Sequence, residues 1–154
     1  FGKAFGTSGA FVAGSNEMIE YLVQMARPYI YTTAMPPSIA AATRASLKLI
    51  QQADDKRDHL QQLIYYFRQG VSQLAYNLMP SRTAIQPILI GDTHKAVALS
   101  QYLEKEGLLV TAIRPPTVPN NTARLRVTLS ANHCFDDIDE LLDALVQAKT
   151  DGFA

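Results

Sequence analysis

Seven residues, Arg124 to Ser130 (RLRVTLS), alternate polar and apolar side chains without a break. A period of two suits a β-strand with one buried face, because successive side chains point to opposite sides of the pleat. Leu125, Val127 and Leu129 then share one face, and Arg124, Arg126, Thr128 and Ser130 share the other. The next apolar residues, Phe135, Ile138, Leu142, Leu145 and Val146, recur instead at helical spacing. Asp136, Asp137, Asp139 and Glu140 open that helix, where acidic groups favour the dipole. A strand feeding an amphipathic helix points to a layered α/β unit, and the tail TDGFA is expected to fray.

Upstream, the order reads strand, helix, strand, loop, strand, helix. Ile85 to Ile90 (IQPILI) is a predicted strand that Pro87 demotes toward a sheet edge. Gly91 and Asp92 turn the chain into a helix ending near Lys105, with Gly107 as its terminator. Leu108 to Ile113 (LLVTAI) is the second strand. Before these, Leu60, Leu63, Ile64, Phe67, Val71, Leu74, Ala75 and Leu78 hold helical spacing, with Gly70 as a weak point. Ser38 is expected to cap a helix from Ile39 to about Ala53, with Ile39, Ala42, Leu47 and Ile50 inward. Ser15 caps an earlier one that buries Ile19, Leu22 and Val23 and stops at Pro28. Gly9 to Ala13 (GAFVA) reads as a short buried strand. The whole is most simply a small sheet with helices on one face.

Composition removes several classes. The 154 residues suffice for one ordinary domain with a real core, and 47% hydrophobic with 18% charged content describes a globular protein. Fourteen basic residues balance fourteen acidic ones, leaving no footprint for nucleic acid or an anionic membrane. Cys134 is the only cysteine, which excludes an internal disulfide and fits a reducing, cytoplasmic compartment. His59, His94 and His133 have no metal spacing, so no metal is expected. No Walker loop, dinucleotide glycine fingerprint or serine–histidine–aspartate arrangement is present.

Chemistry concentrates in two stretches. The first is FGKAFGTSG, where Lys3 sits among Phe1, Ala4 and Phe5 in a glycine-broken turn. A lysine hemmed in by apolar groups is harder to keep charged, and a free amine attacks carbonyls to form a Schiff base. The second is IRPPTVPNNT, where Pro115, Pro116 and Pro119 restrict the positions of Arg114 and Thr117. Such a loop holds side chains ready for a ligand with little ordering on binding. Arg126 stands on the adjacent strand, able to hold a carboxylate through two parallel hydrogen bonds. By residue type alone an exposed terminal lysine and a solvent-facing Arg126 are the simpler readings, and a rigid surface loop with a solvated Arg114 accounts for IRPPTVPNNT equally well.

The run GKAFGTSGAFVAGS resembles the lysine segment of the α-oxoamine synthases, pyridoxal-phosphate (PLP) enzymes of fold type I, and the resemblance covers almost the whole chain. It implies the carboxy-terminal part of such an enzyme: residues 1–45 ending the PLP-binding large domain, and 46–154 forming a small domain. That small domain would hold a short, mainly antiparallel sheet covered by helices. Within the family, TAIRPPTVP is most similar to members that condense L-alanine with a pimeloyl thioester, on CoA or a carrier protein, in biotin synthesis. The resemblance implies that Lys3 carries PLP and serves as base. It also implies that Arg126 anchors the amino-acid carboxylate, that Thr117 touches substrate and that Arg114 meets the acyl group. Thr32 and Thr33 would reach the cofactor phosphate of a neighbouring subunit, in a homodimer. The stacking ring, the acid facing the pyridine nitrogen and the glycine-rich phosphate turn would lie upstream of Phe1, so the fragment alone is expected to be inactive. A glycine-using sister synthase, a fold-type-I aminotransferase and a non-catalytic binding module remain open.

Overall fold

A computed structural model describes residues 1–153. The chain forms two compact units, Phe1–Asp54 and Asp55–Ala154.

In the first unit, α1 (Asn16–Met25) begins where predicted, with the Ser15 hydroxyl accepting from the Met18 amide at 3.4 Å. Pro28 does not end all helical structure. It occupies the first turn of a short α2 (Arg27–Ile30), where a missing N–H costs nothing. Helix α3 (Pro37–Gln51) starts earlier than expected: Pro36 is its N-cap, Pro37 its first residue, and Ser38 lies inside the first turn. Proline's fixed φ suits that first position better than a serine cap one residue later. The inward face of α3 also differs from expectation. It consists of Ile39, Thr43, Ser46 and Ile50, whereas Ala42 is exposed and Leu47 is 44% exposed. The GAFVA segment is not a buried strand. Phe11 and Val12 are 74% and 64% exposed, and no strand pairs with the segment among the described residues. A strand is made by its partner's hydrogen bonds, and local apolarity does not substitute for them.

The second unit is α/β, as its periods predict. It runs α4 (Asp54–Gln73), β1 (Asn77–Leu78), β2 (Ile85–Gly91), α5 (Thr93–Lys105), β3 (Thr111–Ile113), β4 (Ala123–Thr128) and α6 (Phe135–Thr150). The four strands form an antiparallel sheet in the order β1-β2-β4-β3. Alternation along β4 is complete: Ala123, Leu125 and Val127 are buried, while Arg126 and Thr128 are exposed. The buried face joins Ile88 of β2 to Leu63, Phe67 and Val71 of α4, Leu99 and Leu103 of α5, and Ile138 and Leu145 of α6. Each such side chain contributes about 1.5–3 kcal/mol on full burial.

Pro87 proves to lie inside the sheet, between β1 and β4. Its carbonyl accepts from the Met79 amide at 3.0 Å, on the β1 side. In an antiparallel strand a residue's N–H and C=O point the same way, so the missing donor faces β1 just past that strand's two-residue end. The one bond that proline cannot return, to the Met79 carbonyl, is replaced by Arg68 Nη1, which donates to that carbonyl at 3.2 Å.

Helix ends follow capping chemistry. At the end of α5 the Leu108 amide donates to Leu103 at 2.9 Å and Gly107 donates to Glu104 at 3.1 Å, with Gly107 at φ 85°. This is a Schellman motif, and it needs the left-handed residue that glycine supplies without strain. Its geometry recurs at α6, where Phe153 donates to Ala148 at 2.9 Å and Gly152 to Lys149 at 3.3 Å. Phe153 also packs on Tyr102, ring centroids 4.9 Å apart, so the tail through Phe153 is tied down and not frayed. Helix α4 stops before Leu78, contrary to its apolar period. Ala75 takes φ 55°, and Lys149 Nζ donates to the Leu74 carbonyl at 2.9 Å, closing the helix from α6. Gly70 is no defect, because a Cβ there would collide with the Leu142 side chain; it lets α6 approach α4. The expected strand Leu108–Ile113 shortens to β3, as the Val110 carbonyl is taken by the Ser100 hydroxyl at 2.5 Å.

Candidate functional site

The candidate residues fall into two groups, one in each unit. In the first, Lys3 is exposed on a turn closed by the Gly6 amide donating to the Lys3 carbonyl at 2.9 Å. The Thr7 amide donates to the Phe1 carbonyl at 3.2 Å, and Gly6 takes φ 62°. Aromatic rings gather round the lysine: Phe1 meets Phe5 edge-on at 5.1 Å and stacks on Phe11 at 5.7 Å. Lys3 and these rings line an open cavity of about 400 Å³. The amine is thus bordered by apolar groups, as its neighbours in sequence suggest, while the side chain itself stays accessible.

Two α3 residues that hydrophobic periodicity passed over hold this turn. The Ser46 hydroxyl donates to the Phe5 carbonyl at 2.8 Å, and Thr43 Oγ1 lies 2.9 Å from Thr7 Oγ1. Their positions with Ile39 and Ile50 have helical spacing, but a search for apolar residues ignores hydroxyls at those places. The connector carrying Thr32 and Thr33 also comes near the lysine segment. A Cβ on Gly9, at φ 92°, would lie 2.7 Å from Met35 Cε. Thr32 and Thr33 are both exposed, and the Thr32 hydroxyl makes only a long 3.5 Å contact with the Thr33 carbonyl.

The second group sits at the β3–β4 edge. The Thr117 amide donates to the Arg114 carbonyl at 3.1 Å, making the two residues the ends of one tight turn through a cis Pro115–Pro116 bond. Both side chains are exposed. Arg126 on β4 pairs in register with Thr111 of β3 and Pro87 of β2, and its side chain is on the open face of the sheet. Arg124 shares that face but is half-buried, with Nε donating to the Thr122 carbonyl at 3.0 Å. The two arginines therefore differ: one is committed to the backbone and the other presents its guanidinium outward. A planar, permanently charged group on a rigid strand is suited to a carboxylate.

The primary amine and the exposed hydroxyl pair belong to the first unit, and the outward guanidinium belongs to the second. Among the described residues no group of histidine, cysteine or acidic side chains could hold a metal ion. None of the described helices is long and apolar enough to cross a membrane.

Comparison with known proteins shows what the chain is similar to. The chain is 63% identical to the 8-amino-7-oxononanoate synthase of Marinobacter nauticus over 149 residues, 97% of this chain and 38% of that protein. It thus spans about 38% of the length of the curated relatives it matches. The solved 8-amino-7-oxononanoate synthase of Francisella tularensis superposes with TM-score 0.85 at 34% identity, over 99% of this chain and 45% of that one. An SPT structure holding PLP as an internal aldimine gives TM-score 0.90 at 29% identity, over 100% of this chain and 39% of that one. Residues 1–145 match the aminotransferase class I and II family, and the chain belongs to it.

Proposed function

We propose that this chain is the carboxy-terminal part of a PLP-dependent synthase that condenses L-alanine with a pimeloyl thioester. The products are 8-amino-7-oxononanoate, carbon dioxide and the free thiol, a step of biotin synthesis. The observation that carries this reading is the 63% identity to an 8-amino-7-oxononanoate synthase across 97% of the chain. Residues 1–45 end the large domain on this reading, and 46–154 are the small one.

Each residue has a stated task. Lys3 would bind the PLP aldehyde through its amine and, once displaced, take the α-proton of alanine on the same nitrogen. Bound PLP supplies the electron sink for that proton loss and for decarboxylation. Arg126 holds the alanine carboxylate, and its charge favours the ionised form. Thr117 and Arg114 meet the acyl substrate, which arrives on CoA or a carrier protein. Thr32 and Thr33 donate to the cofactor phosphate across a homodimer interface. The assembly is cytoplasmic.

Turnover of the intact protein tests this. With PLP and a pimeloyl thioester, alanine is expected to release carbon dioxide and thiol in equal amounts. Glycine should be slower, although one methyl group is worth only about 1–3 kcal/mol in a pocket. Preference for glycine would move the chain to a sister synthase. Formation of pyridoxamine phosphate without carbon dioxide would make it an aminotransferase.

A further inference from the structure

We infer that Thr43 and Ser46 are positioning residues for Lys3, fastening the lysine turn to α3; this rests on the role proposed for Lys3. The Ser46 hydroxyl donates to the Phe5 carbonyl at 2.8 Å. Thr43 Oγ1 donates to the Ile39 carbonyl at 2.8 Å, and a hydroxyl has one proton to give. Thr7 must therefore be the donor in the 2.9 Å bond between Thr7 Oγ1 and Thr43 Oγ1. Both fastenings are half-buried, and they join residues 41 and 36 positions apart in sequence.

Between the two fastened residues lies Gly6, whose amide closes the turn onto the Lys3 carbonyl at 2.9 Å. Gly6 sits at φ 62° with nothing within 4 Å of a Cβ built there. Crowding therefore does not set its conformation, while bonds to α3 hold the residues on either side of it. Holding Phe5 and Thr7 to a helix fixes Gly6, and Gly6 fixes the lysine backbone. Serine and threonine are weaker helix formers than alanine or leucine, so α3 accepts two indifferent residues on its inward face. What they provide there is a pair of hydroxyls aimed at the turn. Displacement of a reacting group by about 1 Å can cost on the order of a hundredfold in rate, so such fastening matters to an amine that must meet an aldehyde.

The test uses the intact protein, prepared without cofactor and then supplied with PLP. Ser46→Ala and Thr43→Val should each slow formation of the lysine–PLP absorbance band by about tenfold. They should also speed hydrogen exchange at the Gly6 and Thr7 amides by at least about tenfold while α5 amides keep wild-type protection. Ser46→Thr and Thr43→Ser retain the hydroxyl and should restore both readings. Thr7→Val removes the Thr43 bond from the loop side and should reproduce the Thr43→Val effect even if the helix variant folds poorly. Wild-type rates and exchange in Ser46→Ala and Thr7→Val would overturn the inference. So would equal impairment in the hydroxyl-retaining variants, which would mean that packing and not the hydroxyl matters. Failure of the wild-type protein to develop the band would sink the proposed function instead, and the exchange measurement would still decide whether the turn is fastened.

Discussion

Gln86 is fully buried, and its side chain is held from two sides. Its Nε2 donates to the Thr83 carbonyl at 2.6 Å, and its Oε1 accepts from Arg68 Nη1 at 2.7 Å. The same Arg68 nitrogen donates to the Met79 carbonyl at 3.2 Å, so one guanidinium ties α4 to the strand region on either side of the β1–β2 connection. Arg68→Met keeps most of the aliphatic stem and removes the donors. Leaving the buried Gln86 oxygen without a partner costs about 1–3 kcal/mol, and the charged bond itself adds to that. We expect a loss of about 2–3 kcal/mol. With a urea slope of about 1–2 kcal/mol per molar, the midpoint should fall by about 1–3 M, read by circular dichroism. Adding Gln86→Leu removes the stranded acceptor, so the double variant should recover stability relative to Arg68→Met, with a coupling of about 1–2 kcal/mol. A single variant within about 0.5 kcal/mol of wild type would refute the reasoning, as would a double variant less stable than the sum of the two single changes.

Two further outcomes follow from the geometry. Burial pushes the Tyr76 phenol from 10.0 up to about 12, and its hydroxyl donates to the Leu145 carbonyl at 2.9 Å. The folded state therefore favours the neutral ring, and that stability is present below the unfolded value and lost as pH rises from about 10 to about 12. Because the ring is only half-buried the effect should be about 1 kcal/mol, and urea midpoints across that range should fall less in Tyr76→Phe than in wild type. Arg126→Lys should leave folding stability within about 0.5 kcal/mol, because the side chain is exposed, yet raise KM for alanine about ten- to a hundredfold through loss of the paired carboxylate contact proposed for it.

What could be read in advance depended on whether a feature was local. The β4 alternation, the Ser15 cap, the turn at Gly91 and Asp92 into α5 and the Gly107 terminator are each set by a few adjacent residues, and they appear in place. Asp92 accepts from the Lys95 amide at 2.8 Å, a bond that holds its carboxyl below the usual range. The misread features depend on distant partners. GAFVA was apolar enough for a strand but has no paired strand among the described residues, and Pro87 is tolerated inside a sheet where β1 ends and Arg68 takes the Met79 carbonyl. The helical run through Leu78 broke because Ala75 turned left-handed and Lys149 capped the carbonyls behind it. On the candidate site, Lys3, Arg126 and the proline loop were singled out by residue type together with resemblance, and the structure leaves Lys3, Arg114, Thr117 and Arg126 exposed. Thr43 and Ser46 were not singled out, since nothing in the sequence says which face of α3 meets the lysine turn.

The central claim is that one amine near the amino end takes up the cofactor. Borohydride treatment of the intact protein with PLP, followed by peptide mapping, reads it directly. The account predicts a pyridoxyl group on Lys3 and none on Lys48, Lys56, Lys95, Lys105 or Lys149. An unlabelled Lys3, with the label absent or on another lysine, would contradict it.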